Sequence, residues 1–312
     1  MTTLRVGTRG SELALRQTRW VCDQLRGAHP SLNIEQVIIK THGDMLTDQN
    51  VGSAVRTTPW PVGAFVTALE QALLEERVDL AVHSFKDLQT AETEGLTIAA
   101  TPQREVVHDV LLTREATRLE DLPAKARIGT NSPRRAAQLL RVGDFEIVPI
   151  RGNVPTRIAK IERENLDGVV LAAAGLKRLG IDHPRVIELP TDRFVPAPAQ
   201  GALAVQTRTE TEAADLAAVL DHPPTRKAVT AERTFLRAIN AGCHTPVGAL
   251  GSVDGETVTL HARLFTDDYA RDVDGTETGS DPNAVGKMLA DRLLRELEGR
   301  HEVTEGLGDG GT

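Results

Sequence analysis

Val78-Asp79-Leu80-Ala81-Val82-His83-Ser84-Phe85-Lys86-Asp87 is the stretch whose reading decides the fold. Leu80 to Val82 is a short apolar run, as expected of a strand buried on both faces. Just beyond it the chain presents a cation beside a carboxylate, Lys86 and Asp87. In open α/β sheets ligands gather at the carboxyl ends of strands, so this pair marks a candidate site. A solvated surface pair is the competing reading, and the rest of the chain has to decide between them.

Outward from this strand, elements alternate. Leu4 to Val6 reads as a strand, and Ser11 is a plausible N-cap for a helix from Glu12 to about Leu25. The amides of that helix start, with Arg9 alongside, form a corner suited to an anion. Asn33 to Lys40 alternates as a strand. Thr41 to Pro61 is a long polar loop carrying Asp44, of a length common in lids or disordered segments. Gly63 to Glu76, with Phe65, Leu69 and Leu73, is an amphipathic helix, and Leu96 to Ala100 is a further strand. Repeated strand–helix units predict a mostly parallel sheet.

A second unit begins near Arg104, with strands at Val110 to Leu112 and Arg127 to Gly129. In Gly129-Thr130-Asn131-Ser132-Pro133-Arg134-Arg135, Ser132 suits an N-cap and Pro133 the first helical position. Arg134 and Arg135 then fall in the first turn, where each cation opposes the helix dipole by roughly 0.3–1 kcal/mol. Two together predict an anion at that helix end. The pattern recurs: the strand Glu146 to Ile150 leads into Arg151 and Arg157, and the strand Gly168 to Leu171 leads into Lys177 and Arg178. Arginine binds carboxylates through a two-pronged fork. Three arginine-bearing strand ends, together with Arg9 and the Lys86–Asp87 pair, describe a cleft for a ligand with several carboxylates.

Pro196 to Gly201 reads as a crossing segment, followed by a strand over Ala202 to Gln206 and helical periodicity over Thr211 to Leu220. After a linker at Asp221 to Pro224, a helix from about Thr225 to Ile239 leads to Gly242-Cys243-His244. Val247 to Val253 and Val258 to Phe265 alternate like an antiparallel pair, and Asn283 to Leu297 is an amphipathic helix. The glycine-rich tail after Val303 reads as disordered. Cys243, in a loop between a helix and a strand, could be a nucleophile, an attachment point or an inert thiol. Zinc is disfavoured, because no second cysteine lies nearby.

Bulk properties narrow the class. The 312 residues allow two or three domains, and 40% hydrophobic content suffices for packed cores. A net charge of −8 gives no overall attraction to nucleic acid or anionic membrane. Arginine makes up 29 of the 36 basic residues, a skew that genome composition can produce, so only placement is informative. No apolar run reaches the ~20 residues of a membrane span, the start of the chain reads as a strand rather than a signal peptide, and Cys22 and Cys243 lie far apart, all of which point to a reducing cytoplasm.

Together these runs resemble the porphobilinogen deaminase (hydroxymethylbilane synthase) family from about Leu4 to Gly299. The resemblance rests on Thr8-Arg9-Gly10-Ser11, Ala81 to Asp87, Gly129-Thr130 with Ser132 and Arg134-Arg135, Arg151-Gly152-Asn153-Val154 with Thr156-Arg157, Ala174 to Gly180, Gln200-Gly201-Ala202, and Ala231-Glu232-Arg233 with Gly242-Cys243. It implies an α/β protein of three domains. Residues 1–102 plus 199–220 and residues 103–198 form two α/β domains like the halves of a type II periplasmic-binding-protein fold. Residues 221–302 form a smaller α+β domain with an antiparallel sheet, and 303–312 a disordered tail.

The resemblance further implies a dipyrromethane held through a thioether on Cys243, which primes condensation of four porphobilinogens with loss of ammonia. Water then releases the linear tetrapyrrole. Asp87 would be the catalytic group, accepting pyrrole N–H bonds, stabilising the cation left as ammonia departs and moving protons. Arg9, Ser11, Lys86, Thr130, Ser132, Arg134, Arg135, Arg151, Arg157 and Arg178 would bind acetate and propionate groups, and Asp44, Phe65, Ser84 and Gln200 are further candidates. A cytoplasmic monomer acting on a small molecule, with no metal, nucleic acid or membrane partner, is implied. Three departures stand out: Val62 replaces the family's lysine, His108 its second arginine, and Gln89 its proline. A degenerate relative that only binds pyrrole carboxylates or another polyanion is the alternative; an unrelated solute-binding protein is a third reading.

Overall fold

The computed structural model describes residues 3–39, 64–240 and 245–305. The first unit comprises β1 (Leu4–Thr8), α1 (Glu12–Ala28), β2 (Ile34–Ile38), α2 (Ala64–Leu74), β3 (Leu80–Ser84) and β4 (Leu96–Ala100). The second comprises β5 (Asp109–Thr113), β6 (Ala126–Gly129), α3 (Pro133–Leu140), β7 (Phe145–Val148), α4 (Val154–Arg163), β8 (Gly168–Ala172), α5 (Ala173–Leu179) and β9 (Val186–Leu189). The chain then returns through β10 (Leu203–Arg208) and α6 (Glu212–Ala218). It ends with α7 (Pro223–Ala238), β11 (Val247–Asp254), β12 (Thr257–Phe265), β13 (Asp272–Gly279) and α8 (Pro282–Glu305).

β3 is the middle strand of the first sheet, whose order is β2-β1-β3-β10-β4. Leu80 and Val82 face the core shared with Val21 and Leu25 of α1, while Ala81 faces Leu69 and Leu73 of α2. Burial on both faces explains the unbroken apolar run. The second sheet repeats the plan as β7-β6-β8-β5-β9. In each sheet the fourth strand is the one arriving from the other unit, and it pairs antiparallel with both neighbours. Four of five strands are thus parallel, as strand–helix repetition predicts. β5 and β10 differ because each enters straight from a crossing segment, without the helix that a parallel connection requires.

The crossing segments run side by side. Gly201 has φ +84°, and a Cβ there would lie 2.6 Å from the Glu105 carbonyl oxygen. Only glycine permits so close an approach in this conformation. Glu232 of α7 fastens both segments: its buried carboxylate accepts from both Nη atoms of Arg104, from the Ala199 N–H and from the Gly251 N–H.

In the last unit α7 and α8 cover a three-stranded antiparallel sheet of order β11-β12-β13. β13 escaped the pattern reading. In Asp272 to Gly279 only Val273 is buried, so the alternation that marks a half-buried strand is absent. The strand forms because β12 supplies a complete ladder of partners. Polar edge strands of this kind also discourage pairing with other chains.

Candidate active site

β3 ends at Ser84, and a single 3-10 turn, Phe85–Asp87, follows. The turn is pinned from three sides. The Phe85 N–H donates to the Ala202 carbonyl at 3.0 Å, the Leu88 N–H closes onto the Phe85 carbonyl at 3.2 Å, and the Phe85 ring is buried with the Arg233 guanidinium 4.7 Å from its centroid. Anchoring the phenyl ring inward turns the next two side chains outward. Asp87 is exposed and has no hydrogen bond or ion pair among the described residues.

Lys86 opens a chain of polar contacts linking the two sheets. Its Nζ donates to Gln200 Oε1 at 3.2 Å, and Gln200 Nε2 donates to Asp109 Oδ1 at 2.9 Å and to the Val107 carbonyl at 2.8 Å. Asp109 accepts from Arg134 Nη2 at 2.8 Å and from Arg135 Nη2 at 2.7 Å. Burial alone would raise the Asp109 carboxyl; Arg134 and Arg135 outweigh it, with Lys86 adding, and hold the group well below the carboxylate range. Lys86 is lowered to about 8, first by the desolvating bulk of both units and next by Arg135, with Asp87 and Asp109 opposing. Its side chain stays open to the cleft, so water screens part of that shift.

The helix α3 begins as its sequence predicts, with Ser132 accepting from the Arg135 N–H and Pro133 in the first turn. The anion that relieves its two cations is Asp109 of the chain itself. Arg134 is 5% exposed and spends its fork on Asp109 and the Val195 carbonyl, so its guanidinium is a buried strut within the chain. Arg135 also reaches the Val170 carbonyl, but its buried Nε has no partner.

Lys86, Arg135, Arg157 and Arg178 line one cavity beside Gln17 and Ser84, which hydrogen-bond to each other at 2.9 Å. Arg157 donates through Nε to the Gly152 carbonyl at 2.7 Å, leaving both Nη groups without a hydrogen bond among the described residues. Arg178 donates one Nη to the Gly201 carbonyl at 2.7 Å. Burial lowers both arginines; Arg135 lowers Arg157 further, and Asp87 opposes. Like charges crowded with unspent donors fit a ligand carrying several carboxylates.

The remaining candidates lie around this cavity. Arg9, Ser11, Ser132 and Arg151 are half-buried outside its lining, and Thr130 is buried, its hydroxyl accepting from the Ser132 N–H. Ser11 caps α1 through the Ala14 N–H. His108 Nε2 is 4.0 Å from Glu188 Oε1, and the Gln89 carbonyl accepts from Arg233. Asp44, Val62, Cys243 and the Phe65 side chain lie outside the described residues. Pattern reading missed Gln17 and the role of Asp109. The signal for Asp109 was present: a carboxylate directly preceding the apolar run Val110-Leu111-Leu112 must be paired if that strand is buried.

Residues 4–215 match the family model described as "Porphobilinogen deaminase, dipyromethane cofactor binding domain", and residues 226–295 match that family's C-terminal domain. The chain belongs to the porphobilinogen deaminase family. Porphobilinogen deaminase from Moorella thermoacetica is 44% identical over 303 residues, covering 94% of each chain. The Desulforudis audaxviator enzyme is 44% identical over 293 residues, covering 93% of each. The family's dipyrromethane-binding region spans both α/β units here, and the unspent donors of Arg135, Arg157 and Arg178 suit the carboxylates of that cofactor. Among solved structures, the methionine-binding protein MetQ is similar at a TM-score of 0.43 and 12% identity, covering 70% of this chain and 89% of its own; the architecture here stands on the strand order itself.

Proposed function

We propose that the chain is a hydroxymethylbilane synthase that joins four porphobilinogens head to tail, with Asp87 as its catalytic group. The observation that carries this is an unengaged carboxylate, Asp87, next to a cavity where the donors of Lys86, Arg135, Arg157 and Arg178 converge.

A bound dipyrromethane supplies the free pyrrole carbon on which the chain is extended. Arg135, Arg157 and Arg178 hold acetate and propionate groups through charge-assisted hydrogen bonds, and Lys86 meets the incoming substrate. The aminomethyl C–N bond of porphobilinogen breaks, nitrogen leaves with the electron pair as ammonia, and a C–C bond from the methylene carbon to the free ring carbon would take its place. The positive charge left on the substrate pyrrole faces the Asp87 carboxylate, which the pinned turn after β3 presents beside the arginine-lined cavity. One Asp87 oxygen then accepts the proton released from the attacked ring carbon. Water adds at the end to release the linear product.

Cys243 is the proposed thioether attachment point. The proposed domains are 1–102 plus 199–220, 103–198 and 221–302, supported by the paired crossing segments before β5 and β10. A cytoplasmic monomer completes the reading: buried Cys22 is a free thiol, and exposed apolar side chains such as Leu140 and Met288 sit on separate elements.

Two measurements test this. Intact-protein mass should exceed the chain mass by one dipyrromethane, and the excess should vanish in Cys243→Ser. Purified protein should convert porphobilinogen to hydroxymethylbilane. A bare thiol after expression in a porphobilinogen-producing host, together with no turnover, would refute the proposal.

A further inference from the structure

A second cavity, of about 370 Å³, lies behind the catalytic turn, between β4, the segment after Asp87, and α7. It is separate from the arginine-lined cleft and shares no lining residue with it. Its volume falls in the range of small-molecule sites. Phe85, Leu88, Ile98 and Val229 give it apolar walls, and Arg226, Arg233 and Arg237 give it positive charge. Glu70 and Glu92 are the opposing carboxylates; Glu70 is engaged by Gln206 Nε2 at 2.9 Å, and Glu92 is exposed.

The arginines differ in what they have left to give. Arg226 is spent on Asp221 and on the carbonyls of Ile98 and Ala99. Arg233 donates both Nη groups to the Leu88 and Gln89 carbonyls and keeps Nε unengaged. Arg237 is exposed, and its side chain has no hydrogen bond or ion pair among the described residues. Arg233 is lowered to about 10, by burial first and by Arg237 next. Thr101, buried and with no partner for its hydroxyl, lines the opposite end of the cavity beside the start of α7.

We propose that this interdomain cavity binds a small planar carboxylate, with its ring against Phe85 and Val229 and its anion between Arg237 and Arg233 Nε. An anion there lies between two like charges and relieves their repulsion, which a neutral ligand cannot do. The site also reaches the chemistry. Arg233 lines the cavity and holds the Leu88 and Gln89 carbonyls of the segment following Asp87, so occupancy bears on the placement of the turn. The effect should fall on kcat, because the substrate cleft keeps its own lining.

The test uses holoenzyme and indole-3-acetate as the probe. Calorimetry should show one probe per chain. Steady-state rates at fixed probe concentrations should show kcat altered with little change in KM. Arg237→Gln should weaken probe binding by roughly tenfold or more, the loss expected of one charge-assisted contact, and Thr230→Phe, which fills the cavity from α7, should abolish it. Both variants should keep probe-free turnover near that of the parent. Failure of the probe to bind at millimolar concentration, simple competition with porphobilinogen, or equal binding by Arg237→Gln would each overturn the proposal. The calorimetric readout does not depend on Asp87 being the catalytic group, so the two readings fail separately. High-substrate inhibition that disappears in Arg237→Gln would identify porphobilinogen itself as the occupant; probe binding without such inhibition would identify a different carboxylate.

Discussion

Asp109→Asn isolates the charge at the centre of the second unit. The side chains are nearly isosteric, so packing is kept while Arg134 and Arg135 lose their shared anion. Asp109 is 1% exposed and accepts three hydrogen bonds, from Arg134 at 2.8 Å, Arg135 at 2.7 Å and Gln200 at 2.9 Å. An asparagine retains one acceptor and turns an NH2 toward a guanidinium that needs one. Removing one member of a buried, hydrogen-bonded ion cluster costs about 3–5 kcal/mol, because the partner charges stay buried. At roughly 2–4 °C per kcal/mol this is a fall of about 6–20 °C in unfolding temperature, read by calorimetry or circular dichroism.

The same substitution changes the acid limb. The folded carboxyl lies below its unfolded value of about 3.9, so its stabilisation is complete above that pH and is lost as pH falls below it. The parent should therefore lose stability below about pH 4 more steeply than Asp109→Asn. A loss under about 1 kcal/mol at neutral pH, or identical acid limbs, would refute the reasoning that Asp109 neutralises both arginines.

Three further outcomes follow from the geometry. Asp87→Asn should leave the unfolding temperature unchanged, since the side chain makes no hydrogen bond among the described residues, and should lower kcat by roughly 10²–10⁴-fold; near-parental turnover in a porphobilinogen assay would remove Asp87 from the mechanism. Lys86, lowered to about 8, is a cation at pH 7 and loses its charge as pH rises through that value, so kcat/KM should fall above pH 8 and the fall should move to higher pH in Lys86→Arg; superimposable profiles would show that Lys86 does not meet the substrate. Gly201→Ala places a Cβ 2.6 Å from the Glu105 carbonyl at φ +84° and should cost at least about 1–3 kcal/mol, read as a lower urea midpoint; an unchanged midpoint would mean that the crossing segments can move apart freely.

Much of the site could be read before the fold was known, because its chemistry is concentrated in short runs. Ser11 and Ser132 cap the helices that their positions predict, and the turn after β3 presents Asp87 as the apolar run before it implies. The reading reached its limit wherever a residue's meaning depends on a distant partner. Arg134 and Arg135 are neighbours in sequence and looked equivalent. Only one of them lines the cleft, and both are tied to a carboxylate at position 109. The two antiparallel strands, β5 and β10, depend likewise on where the crossing segments enter each sheet.

The amino-acid order by itself determined the local elements, the family resemblance and the abundance of guanidinium groups at strand ends. These follow from periodicity, capping and side-chain chemistry, which act over a few residues. The tertiary structure decided which guanidiniums are consumed and which stay available. That assignment is set by distance in space: Asp109 reaches Arg134 and Arg135 because α3 packs over β5 and β8, and Gln200 because the returning crossing segment passes the start of β5. A buried charge must be neutralised by whatever lies within hydrogen-bonding reach, and no pattern along the chain encodes that reach.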